Sequence, residues 1–189
     1  MINIAIFASG SGSNAENIAN YFKDHSDIKV KLIVTNNPKA FVLERAKKLG
    51  IETLKFNRDE FYNSEKLVDQ LKSQEIHFLV LAGFMWLVPA YLVKAYPQQI
   101  VNIHPALLPK FGGKGMYGDH VHNAVAAAGE KETGITIHYV NERYDEGDII
   151  FQAKCNVENL NPDQIAEQVH QLEYKHYPKV IEMCVEDLI

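Results

Sequence analysis

Residues 99–110 read QIVNIHPALLPK, and the fold turns on how this stretch is read. Ile100, Val101 and Ile103 make a short buried strand. Pro105 has no N–H to give to a sheet ladder, so the strand ends at His104. Side chains two apart on a strand leave the same face, so Asn102 and His104 project together past the strand's carboxyl end. In an open α/β sheet that edge is where ligands bind, which makes the amide and the imidazole a candidate site. A core Asn and His satisfying backbone groups at a strand end would look the same, and the stretch alone leaves both readings open.

Working back from it, IHFLVLAG (76–83) is the most continuously apolar strand, residues 51–56 give another, and IKVKLIVT (28–35) a third. The first, INIAIFA (2–8), is apolar enough to be buried on both faces of a parallel sheet. Helical patterns separate them: one from Ala15 to Lys23 with Ala15, Ile18, Ala19 and Phe22 on one side, one opened by Pro38 and closed at Gly50, one around 60–74, and a short one near 89–95. Strands alternating with helices imply right-handed crossovers and a mainly parallel, Rossmann-like α/β sheet with flanking helices.

Beyond Pro105 the pattern changes. KFGGKGMYGDHVH (110–122) carries four glycines and no apolar period, and reads as a long, mobile, functional loop. An Ala-rich helix follows from about 121 to 128. GITIHYV (134–140) and DIIFQAKC (148–155) flank NERYDEG closely enough for a C-terminal antiparallel hairpin. From Pro162 the tail reads as a helix burying Ile165, Val169 and Leu172, to be kinked or interrupted at Pro178.

Composition bounds the function. The 189 residues, 47% hydrophobic and 23% charged, suit an ordinary globular core. A net charge of −5 offers no general attraction to nucleic acid or an anionic membrane, so neither is expected as a partner. The apolar start of MINIAIFASGSGSN is too short and lacks the basic lead-in of a signal peptide, and no run is long enough to span a bilayer. Cys155 and Cys184 lie far apart without CxxC spacing and read as reduced thiols, so a cytoplasmic setting is expected.

Gly10, Gly12 and Ala15 satisfy the GxGxxA form of a dinucleotide fingerprint. The second strand argues against that reading, because it ends Thr35, Asn36, Asn37, where a ribose-binding acid is expected. A single phosphate cradled by the N–H groups of Gly12, Ser13 and Asn14 fits better, beside the alternative of glycines serving only a tight turn. His104, Asp119, His120, His122, His138 and Asp145 cluster in the second half. An HxH pair near carboxylates raises a metal site, but His120 and His122 sit at the edge of a glycine-rich loop where polar groups face solvent or ligand, and no metal is expected. Asp145 lies in a tight turn, and if that turn folds over the sheet edge it would orient His104 and favour its charged form. GGKG at 112–115 lacks the spacing of a nucleotide-triphosphate loop, and no G-x-S-x-G elbow is present.

Taken together, SGSGSN after the first strand, LAGFM (81–85), NIHPALLPK (102–110), GITIHYV (134–140) and YDEGDIIFQ (144–152) resemble, in register over nearly the whole chain, the glycinamide ribonucleotide formyltransferases that use 10-formyltetrahydrofolate. The resemblance implies a single formyltransferase domain over 1–189, with residues 1–100 as the phosphate-binding half and 101–189 as the catalytic and folate-binding half. It implies Asn102, His104 and Asp145 as the catalytic three, with Gly12, Ser13 and Asn14 on the substrate phosphate and Glu173 on the ribonucleotide. Met85, Trp86, Leu87 and Val88 would line the folate pocket, with Asn102 touching the folate and Arg58 matching a folate-contacting Arg. Trp86 stands where many relatives have Arg, and Glu146 replaces the first Gly of a frequent Asp-Gly-Gly turn.

The implied partners are small molecules, glycinamide ribonucleotide and the formyl folate as co-substrate, for a monomer or homodimer. Methionyl-tRNA formyltransferase carries a further domain for which this chain is too short. Formyltetrahydrofolate hydrolase, the alternative activity, carries an N-terminal domain where here Met1 leads straight into the first strand. In the expected mechanism a protonated His104 and Asn102 donate to the developing oxyanion while Asp145 holds His104 charged and receives the amine's proton.

Overall fold

Seven strands form one sheet in the computed structural model, which describes residues 1–188. The strands are β1 (Ile2–Phe7), β2 (Ile28–Thr35), β3 (Glu52–Lys55), β4 (Ile76–Leu81), β5 (Ile100–His104), β6 (Glu132–Tyr139) and β7 (Ile149–Asn156). Their order is β3-β2-β1-β4-β5-β6-β7. The first five are mutually parallel, and β6 and β7 add as antiparallel neighbours. Helices α1 (Ser13–Tyr21), α2 (Val42–Leu49), α3 (Arg58–Tyr62), α4 (Lys66–Ser73), α5 (Ala90–Ala95), α6 (Asp119–Ala127) and α7 (Pro162–Glu186) flank it. The sheet separates two cores, as the period of two in β1 requires. Ile4, Ile6 and Ala8 face one with α1, α2, α6 and α7, whereas Ala5 and Phe7 face the other with Phe61, Leu71 and Leu92. The chain leaves β1 toward β2 and β3, then returns on the other side to β4, so the strand order reverses between β1 and β4. Ligands bind beyond the carboxyl ends at such a reversal.

The structure revises several boundaries. Pro38 does not open a helix: the Asn37 side chain accepts from Lys39 N–H and its carbonyl from Ala40 N–H, so residues 38–41 form a turn and α2 starts at Val42. The helix expected around 60–74 is two, because Asn57 and Glu60 close a capping box on α3 that ends at Asn63 before α4 begins. The long loop is shorter than expected, since α6 begins at Asp119 and carries both His120 and His122. Finally, α7 runs through Pro178 without interruption. The missing N–H leaves the Tyr174 carbonyl free, and Asn17 Nδ2 donates to it at 3.0 Å from α1.

Candidate active site

One cleft of about 540 Å³ runs along the carboxyl ends of β1, β4 and β5, within the size range of small-molecule sites. At one end β1 gives way to a turn at Ser9–Gly12. Gly12 sits at φ 72, and a Cβ there would lie 2.3 Å from Val42 Cγ2 and 2.9 Å from Val42 Cα, so only glycine fits. Gly12 caps α1 with no side-chain hydrogen bond, which leaves the helix's first N–H groups, at Ser13 and Asn14, without intrahelical partners. Gly12, Ser13 and Asn14 all line the cleft. They make a place for an anion.

At the other end β5 delivers Asn102 and His104 to one face, and the antiparallel register sets His138 directly opposite Asn102. The turn after β6 then brings in Asp145, at φ 54, a conformation that Asp tolerates better than most residues. The turn depends on Gly147, where a Cβ would sit 1.7 Å from the Tyr139 carbonyl oxygen. Glu146 points away from this work and pairs with Arg143 at 3.2 Å on the exposed side.

Asp145 Oδ2 lies 3.5 Å from His104 Nδ1 and accepts from Gly113 N–H at 3.0 Å, while Oδ1 lies 3.7 Å from His138 Nε2. His104 Nε2–H donates to the Phe111 carbonyl at 2.7 Å. His138 Nδ1–H donates to its neighbour's carbonyl, Tyr139 O, at 2.9 Å, so its Nε2 accepts from Asn102 Nδ2 at 3.2 Å. Asn102, His104 and Asp145, expected from sequence, thus meet, and His138 joins them. Its place depends on the register between β5 and β6, which no motif marks.

Burial outweighs the neighbouring carboxylate and lowers the His104 pKa below its ordinary 6.5. With Nε2–H committed to the Phe111 carbonyl, Nδ1 faces the Asp145 carboxylate across 3.5 Å. Burial also works against the Asp145 anion, but the His138 contact, the His104 ring and the Gly113 N–H together hold its pKa below the ordinary 3.8.

Glu173, buried on α7, lines the cleft next to the β1–α1 turn, and its Oε2 accepts from Asn14 Nδ2 at 3.0 Å and from His170 Nδ1 at 2.9 Å. The hydrogen bond to Glu173 raises the His170 pKa despite partial burial. His170 was missed in the sequence, although its spacing of three from Glu173 on a helix places the two side by side. His122, expected at the edge of a loop and facing solvent or ligand, is on α6, 3% exposed and facing the cleft, and burial lowers its pKa. His120 remains exposed. Among the described residues, no group of three or more His, Cys, Asp and Glu is arranged to hold a metal ion.

Met85, Trp86, Leu87 and Val88 form the apolar wall of the cleft. Trp86 packs against Phe56, Phe61, Tyr62 and Phe84. Arg58 lies over Tyr62 and Trp86, 5.0 and 5.5 Å from the ring centroids, rather than on the cleft wall itself.

Comparison with known proteins finds relatives of the whole chain. Residues 2–181 match the model of the formyl transferase family. A chloroplastic phosphoribosylglycinamide formyltransferase of Arabidopsis thaliana is 42% identical over 98% of this chain and 66% of that protein; its Vigna unguiculata counterpart is 38% identical over 98% of this chain and 62% of that protein. The chain thus spans slightly under two thirds of the length of these plant relatives. The phosphoribosylglycinamide formyltransferase of Bacillus subtilis is 37% identical over 98% of this chain and 95% of that protein. Among solved structures, the phosphoribosylglycinamide formyltransferase of Bacillus halodurans superposes with a TM-score of 0.87 at 37% identity, covering 99% of this chain and 97% of that one. A match to one family model over nearly all of its length, with the same fold at such identity, shows that the chain belongs to the formyl transferase family.

Proposed function

We propose that the chain is a phosphoribosylglycinamide formyltransferase, moving the formyl group of 10-formyltetrahydrofolate onto the amine of glycinamide ribonucleotide in purine biosynthesis. The products are formylglycinamide ribonucleotide and tetrahydrofolate. The observation that carries this reading is one cleft holding both an anion cradle at Gly12–Asn14 and the Asn102–His104–Asp145 cluster. Within one domain, residues 1–100 supply the phosphate cradle and residues 101–189 the catalytic groups. The apolar wall at Met85–Val88 suits the flat rings of a folate, with Arg58 acting through its contact to Trp86. The setting is cytoplasmic and the protein acts on small molecules, as a monomer or a homodimer.

The neutral amine attacks the formyl carbon, and the carbonyl π pair moves to oxygen. Asn102 keeps one N–H on His138 and offers the other to this oxyanion. The proton on the attacking nitrogen passes to the lone pair of His104 Nδ1, and the imidazolium so formed faces the Asp145 carboxylate. His104 then gives that proton to the folate nitrogen as the carbon–nitrogen bond breaks; the bond pair stays on nitrogen and the formamide carbonyl re-forms. Glu173 is placed to receive hydroxyl groups of the ribonucleotide beside the phosphate.

The test is tetrahydrofolate production with and without glycinamide ribonucleotide. Production that depends on the ribonucleotide is expected. Formate release at the same rate in its absence would instead make the chain a formyltetrahydrofolate hydrolase.

A further inference from the structure

The anion cradle points its N–H groups into the cleft only if its carbonyls are turned the other way, and three consecutive carbonyls are held in that direction by one neighbouring segment. Asn37 Nδ2 donates to Ser9 O at 3.3 Å, Val42 N–H to Gly10 O at 3.1 Å, and Arg45 Nε–H to Ser11 O at 2.8 Å. All three donors come from the end of β2 and the first turn of α2. None of the three lines the cleft. The Ser11 carbonyl is the last before the helix and the one whose reversal would turn the Gly12 N–H away.

Arg45 is the most heavily engaged of the three. Besides Ser11 O, its guanidinium pairs with Glu16 in the first turn of α1, and it stacks 5.1 Å from the centroid of the Phe41 ring. One planar fork thus spans the turn and the helix that follows it, fixing the angle at which α1 leaves the turn. Val42 closes the same face, in contact with the missing Cβ of Gly12. A surface ion pair would give little. An Arg engaged at once by a carbonyl, a carboxylate and a ring does more, because the carbonyl it holds belongs to the peptide whose N–H is the first of the cradle.

We propose that Arg45 is a positioning residue for ribonucleotide binding: it holds the Ser11 carbonyl and Glu16 so that the N–H groups of Gly12, Ser13 and Asn14 stay aimed at the substrate phosphate. It touches no substrate. The inference rests on the assignment of the cradle to a phosphate.

The experiment compares wild type with Arg45→Ala, Arg45→Lys and Glu16→Gln by initial rates, varying each substrate in turn, and by the thermal shift that inorganic phosphate gives each protein. For Arg45→Ala the KM for the ribonucleotide should rise about tenfold or more, the loss expected for one charge-assisted hydrogen bond. The KM for the formyl folate and kcat should move less than threefold. Lys keeps the charge but cannot bridge carbonyl and carboxylate together, so Arg45→Lys should recover part of the loss, and Glu16→Gln should show a smaller rise of the same kind. The phosphate-induced shift should shrink in the same order. Equal changes in both KM values and kcat, or an unchanged ribonucleotide KM, would overturn the proposal. A wild type that is stabilised by phosphate but shows no ribonucleotide-dependent turnover would sink the reading of the reaction while leaving the role of Arg45 open to the thermal-shift comparison, where loss of the shift in Arg45→Ala sustains it and retention refutes it.

Discussion

At the β1–α1 turn the cleft is walled by main chain, fixed by a glycine and by donors from one adjacent segment. At the end of β5 it is walled by side chains drawn from β5, β6 and the β6–β7 turn, held by main-chain groups of the 111–113 loop. A backbone cradle recognises an anion in the same way whether or not a reaction follows, so it supplies binding common to substrate and transition state. In the proposed reaction the side-chain cluster meets charges that exist only during the chemistry, so it would supply rate. The two ends should therefore separate in kinetics, one in KM and the other in kcat.

The sharpest break of that comparison is His104→Ala. In the proposed mechanism it removes the base that takes the amine's proton, and kcat should fall about 10²- to 10³-fold or further, with the ribonucleotide KM nearly unchanged. Asn102→Ala should fall within the same range. A tenfold rise in ribonucleotide KM with normal turnover in either variant would show that the two ends are not functionally distinct. Circular dichroism and the melting temperature separate loss of chemistry from loss of fold.

Asp145→Asn comes next, at about 10²-fold in kcat, because the imidazolium formed on His104 loses its counter-charge. The pH profile gives the sign. Burial lowers the His104 pKa, and the ring works as a base, so kcat/KM for the folate should rise with pH through a value below 6.5 and then level off. The carboxylate opposes burial by raising that pKa, so removing it should move the acid limb to still lower pH. If His104 worked as a resident imidazolium, activity would instead decline as pH rises through the same region.

At the cradle, Gly12→Ala forces a Cβ into Val42 and a side chain into left-handed backbone, a strain of about 1–2 kcal/mol before any clash is counted. The ribonucleotide KM should rise about tenfold, with a much smaller effect on the folate KM. Steady-state rates with each substrate varied will show whether the damage stays at this end.

The same contrast explains what could be read before the fold was known. The cradle is local: a strand, a glycine turn and a helix lie within twenty residues, and SGSGSN announces all three. Asn102 and His104 were legible for a similar reason, since Pro105 fixes where their strand ends. His138 was not, because its role depends on the register between β5 and β6, which no local pattern states. Nor was the downward shift of the His104 pKa, which follows from packing at 3% exposure rather than from any neighbour in the chain. Pro178 misled for the complementary reason: its break is repaired by Asn17, a hydrogen bond across more than 150 residues.

The smallest expected effect lies on the wall between the two ends. Trp86 is held edge-on or tilted by Phe56, Phe61, Tyr62 and Phe84 and carries Arg58 over its face. It is fixed in place by a cluster that exists without any ligand, so the surface it offers is already formed when a folate arrives. Trp86→Ala removes that surface and frees Arg58, whereas Trp86→Phe keeps a ring of reduced area. A cation–π contact at such a half-exposed site contributes about 0.5–1 kcal/mol. The folate KM should therefore rise about three- to tenfold in Trp86→Ala and less in Trp86→Phe. The ribonucleotide KM should stay within about twofold, because the β1–α1 turn meets the wall through Ser9, whose hydroxyl accepts from Met85 N–H, a contact that neither substitution removes. If the ribonucleotide KM rose as much as the folate KM, the wall would be mechanically tied to the cradle through that contact, and the separation of the two ends would hold for the chemistry but not for binding.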